Sequence, residues 1–167
     1  YYYARPGFNF FLGLMRSLID NPLIAGRILS TAGFAAIGLL ILIPIKKLLG
    51  SKVALIALSY LCFMALNVYY SRLIFPDSIV SAMLFGALTF HVMAEKNKSY
   101  FLSFVAGTLL GLTVVTGSYR ISPTLLGITI VVIFSMAKYN FEKGFIKRFL
   151  LALIPAIGII FIFNKYR

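Results

Sequence analysis

The segment Tyr69-Tyr70-Ser71-Arg72-Leu73-Ile74-Phe75-Pro76-Asp77 sets a carboxylate at the predicted start of a helix, with a guanidinium five residues before it. Two uses fit that carboxylate. At a helix N-terminus it accepts backbone N–H bonds and is favoured by the helix dipole, so capping by itself accounts for Asp77. Beside a cation at a membrane surface it can also bind a metal, orient a sugar hydroxyl or assist proton transfer. Arg27 follows Pro22 by five residues, roughly 7 Å of helix rise, and Arg120 lies between Tyr119 and Ser122. Guanidinium at such positions suits a lipid-linked phosphate, which it binds through paired hydrogen bonds. Snorkelling to lipid headgroups is the alternative use of the same side chains. His91 follows Asp77 by fourteen residues, roughly 21 Å of helix rise. One straight helix therefore cannot bring the two to a common metal, and His91 is expected to be an interfacial or helix-contact residue. Asp20 adjoins Asn21-Pro22 and reads as a loop residue.

The elements that position these groups are set by an apolar chain. Of 167 residues 61% are hydrophobic and 12% charged, and the mean hydropathy is +0.98; a soluble domain of this size cannot hide that much apolar surface in its own interior. The stretches around 22–45, 53–69, 78–94, 101–117, 122–137 and 149–163 are mostly Leu, Ile, Val, Phe, Ala and Gly. Each approaches the ~20 residues that cross the hydrocarbon core, so an all-α, polytopic transmembrane bundle of about six helices is expected, as a single membrane domain over 1–167. Every cluster of lysines lies on one side of this pattern: Lys46, Lys47 and Lys52, then Lys96 and Lys98, then Lys138, Lys143, Lys147 and Arg148. The positive-inside rule makes those connections cytoplasmic. Asp20 and Arg27, then Arg72 and Asp77, then Arg120 fall on the external or lumenal side, while Glu95 and Glu142 stay with the lysines.

The formal charge of +12 gathers at the ends of apolar stretches and forms no continuous basic groove interleaved with exposed aromatics, which excludes a nucleic-acid surface. The lipid bilayer is the expected partner of these charges. Cys62, the single cysteine, has no partner for a disulfide and reads as a small apolar filler.

Residues 6–19 read as a short amphipathic helix with Pro6 in its first turn and Phe8, Phe11, Leu12, Met15, Leu18 and Ile19 on one face, opposite Asn9, Gly13, Arg16 and Ser17. A two-faced helix of this kind lies in the membrane interface, ahead of a transmembrane bundle over 22–163. Asn21-Pro22, Pro76-Asp77-Ser78 and Ser122-Pro123 are helix starts with capping chemistry. Gly107 and Gly111 form a small-xxx-small pair suited to close helix approach. Tyr69, Tyr70, Tyr100, Tyr119 and Tyr139 mark an aromatic belt. The chain begins Tyr1-Tyr2-Tyr3-Ala4-Arg5-Pro6 and ends directly after an apolar stretch; both ends are expected to continue in a longer polypeptide.

The order of these features resembles the membrane glycosyltransferases of the GT-C superfamily, in particular the protein O-mannosyltransferase and lipid A aminoarabinose transferase branch. Arg27-Ile28-Leu29-Ser30 is similar to that family's Arg-Leu-Pro-Ser or Arg-Leu-Leu-Ser. Ser71-Arg72-Leu73 through Pro76-Asp77 is similar to its Ser/Ala-Arg…Pro-Asp junction. Gly111-Leu112-Thr113-Val114-Val115-Thr116 resembles its Gly-Leu-Ala-x-Leu-Thr, although Gly117 stands where the family continues into Lys or Arg, and Arg120 follows one turn later. Ala4-Arg5-Pro6-Gly7 occupies the place of a His-Pro-Pro-Leu-like stretch, keeping one proline and losing the histidine.

The resemblance implies transfer of a sugar from a polyprenyl-phosphate donor to a protein, lipid or glycan acceptor at the external or lumenal face. It implies a multi-pass protein of a bacterial or archaeal plasma membrane, with the endoplasmic reticulum as the alternative. The family's principal base lies in a first external loop that on this reading precedes Tyr1. Asp77 then matches the accessory acidic position, and Arg27, Arg72 and Arg120 are the candidates for the donor phosphate, with a divalent metal ion as the candidate cofactor. The rival from a different class is a transporter or flippase for a lipid or small solute, gated by the same arginines and aspartate. A non-catalytic membrane scaffold is the third reading.

Overall fold

The computed structural model describes residues 6–63, 77–117 and 143–165. Among them the protein is all-helical, with no strand, and six helices follow in order. They are α1 (Pro6–Arg16), α2 (Pro22–Leu49), α3 (Ser51–Phe63), α4 (Asp77–Asn97), α5 (Tyr100–Thr116) and α6 (Lys143–Lys165). Three have the length and apolarity to cross a membrane: α2, α4 and, within α6, Gly144–Phe163. Helices α3 and α5 are apolar but shorter, at 13 and 17 residues. The expected crossing over 122–137, and the end of the one over 53–69, lie outside the described residues. Large apolar side chains on the outside of the helices, among them Ile56, Phe63, Phe101, Ile154 and Phe161, are exposed, as suits a molecule whose surroundings are hydrocarbon.

Helix α2 starts as its sequence dictates. The Asn21 side chain accepts hydrogen bonds from the Leu23 and Ile24 backbone nitrogens at 3.0 and 3.3 Å, and Pro22 needs no donor in the first turn. Its end corrects the expected boundary at residue 45. Pro44 supplies no N–H and its ring crowds the preceding turn, and the helix accommodates it by widening to a π turn over Ile41–Ile45, then resumes over Lys46–Leu49. Lys46 and Lys47 are therefore helical residues and not a loop. The connection to α3 narrows to Gly50, whose φ of 91° is the left-handed conformation that glycine adopts without strain. Cys62 is exposed on α3, so it fills no packed interior.

Helices α4 and α5 form a tight hairpin. The Ser99 N–H donates to Ala94 O at 2.9 Å while Lys98 takes a left-handed φ of 52°, and the Ser99 hydroxyl then caps α5 by accepting from Leu102 N at 3.4 Å. Glycine contacts fix the register of the bundle. A methyl group on Gly33 would come within 2.8 Å of Ile79 N, and one on Gly86 within 3.4 Å of Leu40 Cδ1, so α2 and α4 run parallel. A methyl on Gly86 would also come within 3.1 Å of Leu109 Cδ1, and one on Gly117 within 3.0 Å of Val80 Cγ1, so α4 and α5 run antiparallel. Gly107 meets the Ala152 backbone and Gly111 the Ala156 backbone, so α5 and α6 run parallel along the expected small-residue seam.

This register brings Lys46, Lys47, Lys52, Lys96, Lys98 and Lys147 to one end of the bundle and Asp77 to the other. The interior between helices is small and weakly polar: Ser30, Ser103, Thr113 and Thr116 are fully buried. Ser103 and Thr113 return their hydroxyls to the Ser99 and Leu109 carbonyls of their own helix. That arrangement lets backbones approach without leaving polar groups facing hydrocarbon.

Candidate functional site

At the Asp77 end, α1 touches four other helices. Phe8 is buried against Leu29 of α2 and Ile79 of α4, with Phe11, Leu12, Met15 and Met83 closing around them. Gly7 lies on α5, where an added methyl would come within 2.6 Å of Thr116 Oγ1. Phe10 meets Phe163 of α6 edge-on, with ring centroids 6.2 Å apart. The apolar face expected for this helix is thus the one it buries, except that Leu18 lies beyond the helix and is exposed. Because Gly33 abuts Ile79, near the head of α4, the first turns of α2 run roughly 14 Å past Asp77, and α1 packs beside that projecting portion.

Asp77 is the first residue of α4 and is half-buried. Next to it, Ser78 Oγ is buried without a hydrogen-bond partner among the described residues, and on the facing helix Thr116 Oγ1 is too. Both hydroxyls lie within two residues of the Val80–Gly117 contact that joins α4 to α5. Buried polar atoms left unpaired are uncommon and call for an explanation. Both lie at the bundle end that carries Asp77. Arg27 is also near this end, on the exposed face of α2, away from the buried row of Ala25, Gly26, Leu29, Ser30 and Gly33. Arg72 and Arg120 lie outside the described residues, so the expected gathering of three arginines is represented here by Arg27 alone. Asp20 is exposed beside the start of α2. Among the described residues no three His, Cys, Asp or Glu side chains come together, and Asp77 by itself does not supply the donor set of a divalent cation.

A second polar centre sits at the lysine-rich end, and there the structure corrects the sequence reading. Glu95 and Arg148, expected among the solvated charges of cytoplasmic connections, are buried, with side-chain exposures of 0% and 4%. Arg148 Nη2 donates to Glu95 Oε2 at 2.7 Å, and its Nε lies 3.1 and 3.2 Å from the two carboxylate oxygens. Gly144, one turn earlier on α6, leaves the space for this guanidinium, since a methyl there would come within 2.7 Å of Arg148 Nη1. His91, one turn before Glu95 on the same face of α4, is buried, with no partner for Nε2 among the described residues, as a helix-contact histidine would be. The signal for this centre was the four-residue spacing of His91 and Glu95 among Ala87 and Ala94. Burying two charges costs several kcal/mol each, and that cost is offset only by geometry of this quality. The pair joins α4 to α6 across α5, which is a positioning role.

Comparison with protein families, with curated proteins and with solved structures finds no match for this chain.

Proposed function

We propose that this chain is part of a membrane glycosyltransferase of the GT-C kind, moving a sugar from a polyprenyl-phosphate donor to a protein, lipid or glycan acceptor on the external or lumenal face. The observation that supports it best is the packing of an amphipathic helix over the bundle end that carries Asp77, Ser78 and Thr116. A reaction between a lipid-anchored donor and a water-borne acceptor needs polar groups at the boundary of the hydrocarbon, held by rigid helices.

In such an enzyme a carboxylate takes the proton of the acceptor hydroxyl as that oxygen attacks the anomeric carbon, and the bond to the carrier phosphate breaks. Asp77 orients donor or acceptor at the head of α4. Arg27, with Arg72 and Arg120, stabilises the charge that develops on the departing phosphate.

Asp77→Asn separates this role from capping, because Asn caps a helix about as well as Asp while removing the charge. In the full-length protein the variant is expected to insert and express normally yet lose glycosyl transfer by about 100-fold or more. Wild-type turnover of a lipid-linked donor by the Asn variant rejects the role and leaves Asp77 as a cap.

A further inference from the structure

Between α2 and α4 runs an apolar groove of about 670 Å³ that extends from Leu29 and Ile79, near the Asp77 end, to Lys47 at the lysine-rich end. Ala36, Leu40, Pro44, Gly86 and Met93 line the half nearest Lys47, and among the described residues Lys47 is the one charged group along its length. A second groove, about 480 Å³, lies along the lower parts of the same two helices, lined by Ile45, Leu48, Phe85 and Val92. Its one charged lining residue is Lys96, again at the lysine-rich end. Each channel is therefore hydrocarbon-like along its course and cationic at the same terminus.

The groove runs roughly 27 Å of helix rise from Leu29 to Lys47, near the whole ~30 Å hydrocarbon core. Its cationic end favours one kind of occupant, since the roughly 16 Å from Lys47 to Ala36 is about the depth of one leaflet. We propose that the larger groove is a binding site for an acyl chain of an anionic phospholipid in the leaflet at the lysine-rich face, with the lipid phosphate at Lys47. The chain lies along Pro44, Leu40 and Gly86 and ends near Ala36. A second copy of this chain, in the same membrane orientation, would bring its own lysine-rich end against Lys47, and like charges at that level oppose it. A polyprenyl-phosphate donor reacting at the Asp77 end would carry its phosphate beyond the opposite end of the groove, toward Arg27 and not at Lys47. The inference stands independently of the glycosyltransferase reading.

The test is native mass spectrometry of the full-length protein from micelles supplied with phosphatidylglycerol or phosphatidylcholine of matched chains. The wild type is expected to retain phosphatidylglycerol preferentially. Lys47→Gln is expected to lower that preference about fivefold, the factor for one lysine near an anionic headgroup. Ala36→Phe, which fills the groove above the lysine, is expected to reduce retention of both lipids. An unchanged preference in Lys47→Gln, equal retention of the two lipids by the wild type, or full displacement of phosphatidylglycerol by an equimolar polyprenyl phosphate each overturns the site. Should Ala36→Phe fail to fold, Lys47→Gln decides alone.

Discussion

Arg148 and Glu95 are 53 residues apart in sequence and 2.7 Å apart in space, and among the described residues the other buried polar side chains carry hydroxyls and one imidazole. The contact links the last described helix to the fourth at the level where the lysines gather. It is a cross-brace whose two halves are unequal to any substitute: each charge is tolerable there only while the other is present.

Removing one half should therefore cost more than removing both. Arg148→Met is expected to destabilise the folded protein by about 3–5 kcal/mol, because Glu95 is left buried and uncompensated. The double variant Glu95→Met, Arg148→Met should recover most of that loss. Reversible unfolding in mixed micelles measures both. A single variant within about 1 kcal/mol of the wild type would mean that the pair is solvated in the membrane and not buried.

The α5–α6 seam makes a prediction by position. Gly107 meets the Ala152 backbone directly, whereas among the described residues nothing lies within 4 Å of a methyl placed on Gly158. Gly107→Val should separate the helices and abolish folding or lower stability by several kcal/mol, since backbone cannot give way as a side-chain tip can. Gly158→Ala, on the same helix pair but facing outward, should be neutral or stabilising by up to about 1 kcal/mol. Equal effects of the two substitutions in the same unfolding assay would dismiss the seam.

Sidedness can be read with thiol labelling once exposed Cys62 is replaced by Ser. A cysteine at Asn97 is expected to resist an impermeant reagent added to intact cells and to react after permeabilisation, because the positive-inside rule assigns the end that carries Lys96 and Lys98 to the cytoplasm. A cysteine at Asp20 is expected to react directly. Ready external labelling at 97 would invert the whole assignment.

Much of the fold was legible because membrane helices announce themselves by composition and their ends by capping chemistry. Asn21-Pro22 started α2 where its sequence required, and Gly107 and Gly111 marked the closest helix approach. What escaped had physical causes. A proline usually ends a helix, but at Pro44 one wide turn carried α2 past it and drew Lys46 and Lys47 into the helix. Charges at the ends of apolar stretches usually face water; Glu95 and Arg148 do not, because each is the other's solvent, and although the His91–Glu95 spacing marks one helix face, nothing local names a partner 53 residues away. At the Asp77 end the carboxylate was evident from its place in the chain. The unpaired hydroxyls of Ser78 and Thr116 were not, since their isolation depends on which helices pack over them.

The tie between Glu95 and Arg148 also has a consequence in time. Synthesis proceeds from the N-terminus, so α4 enters the membrane with Glu95 before the codon for Arg148 has been translated. The α4–α5 hairpin, closed by two residues and rich in local contacts, can assemble at once, but its acidic residue must stay near the membrane surface until α6 arrives beside α5 with the opposite charge. Assembly of these helices thereby waits for α6: a nascent protein stalled before residue 148 carries an uncompensated carboxylate, which marks the bundle chemically as unfinished.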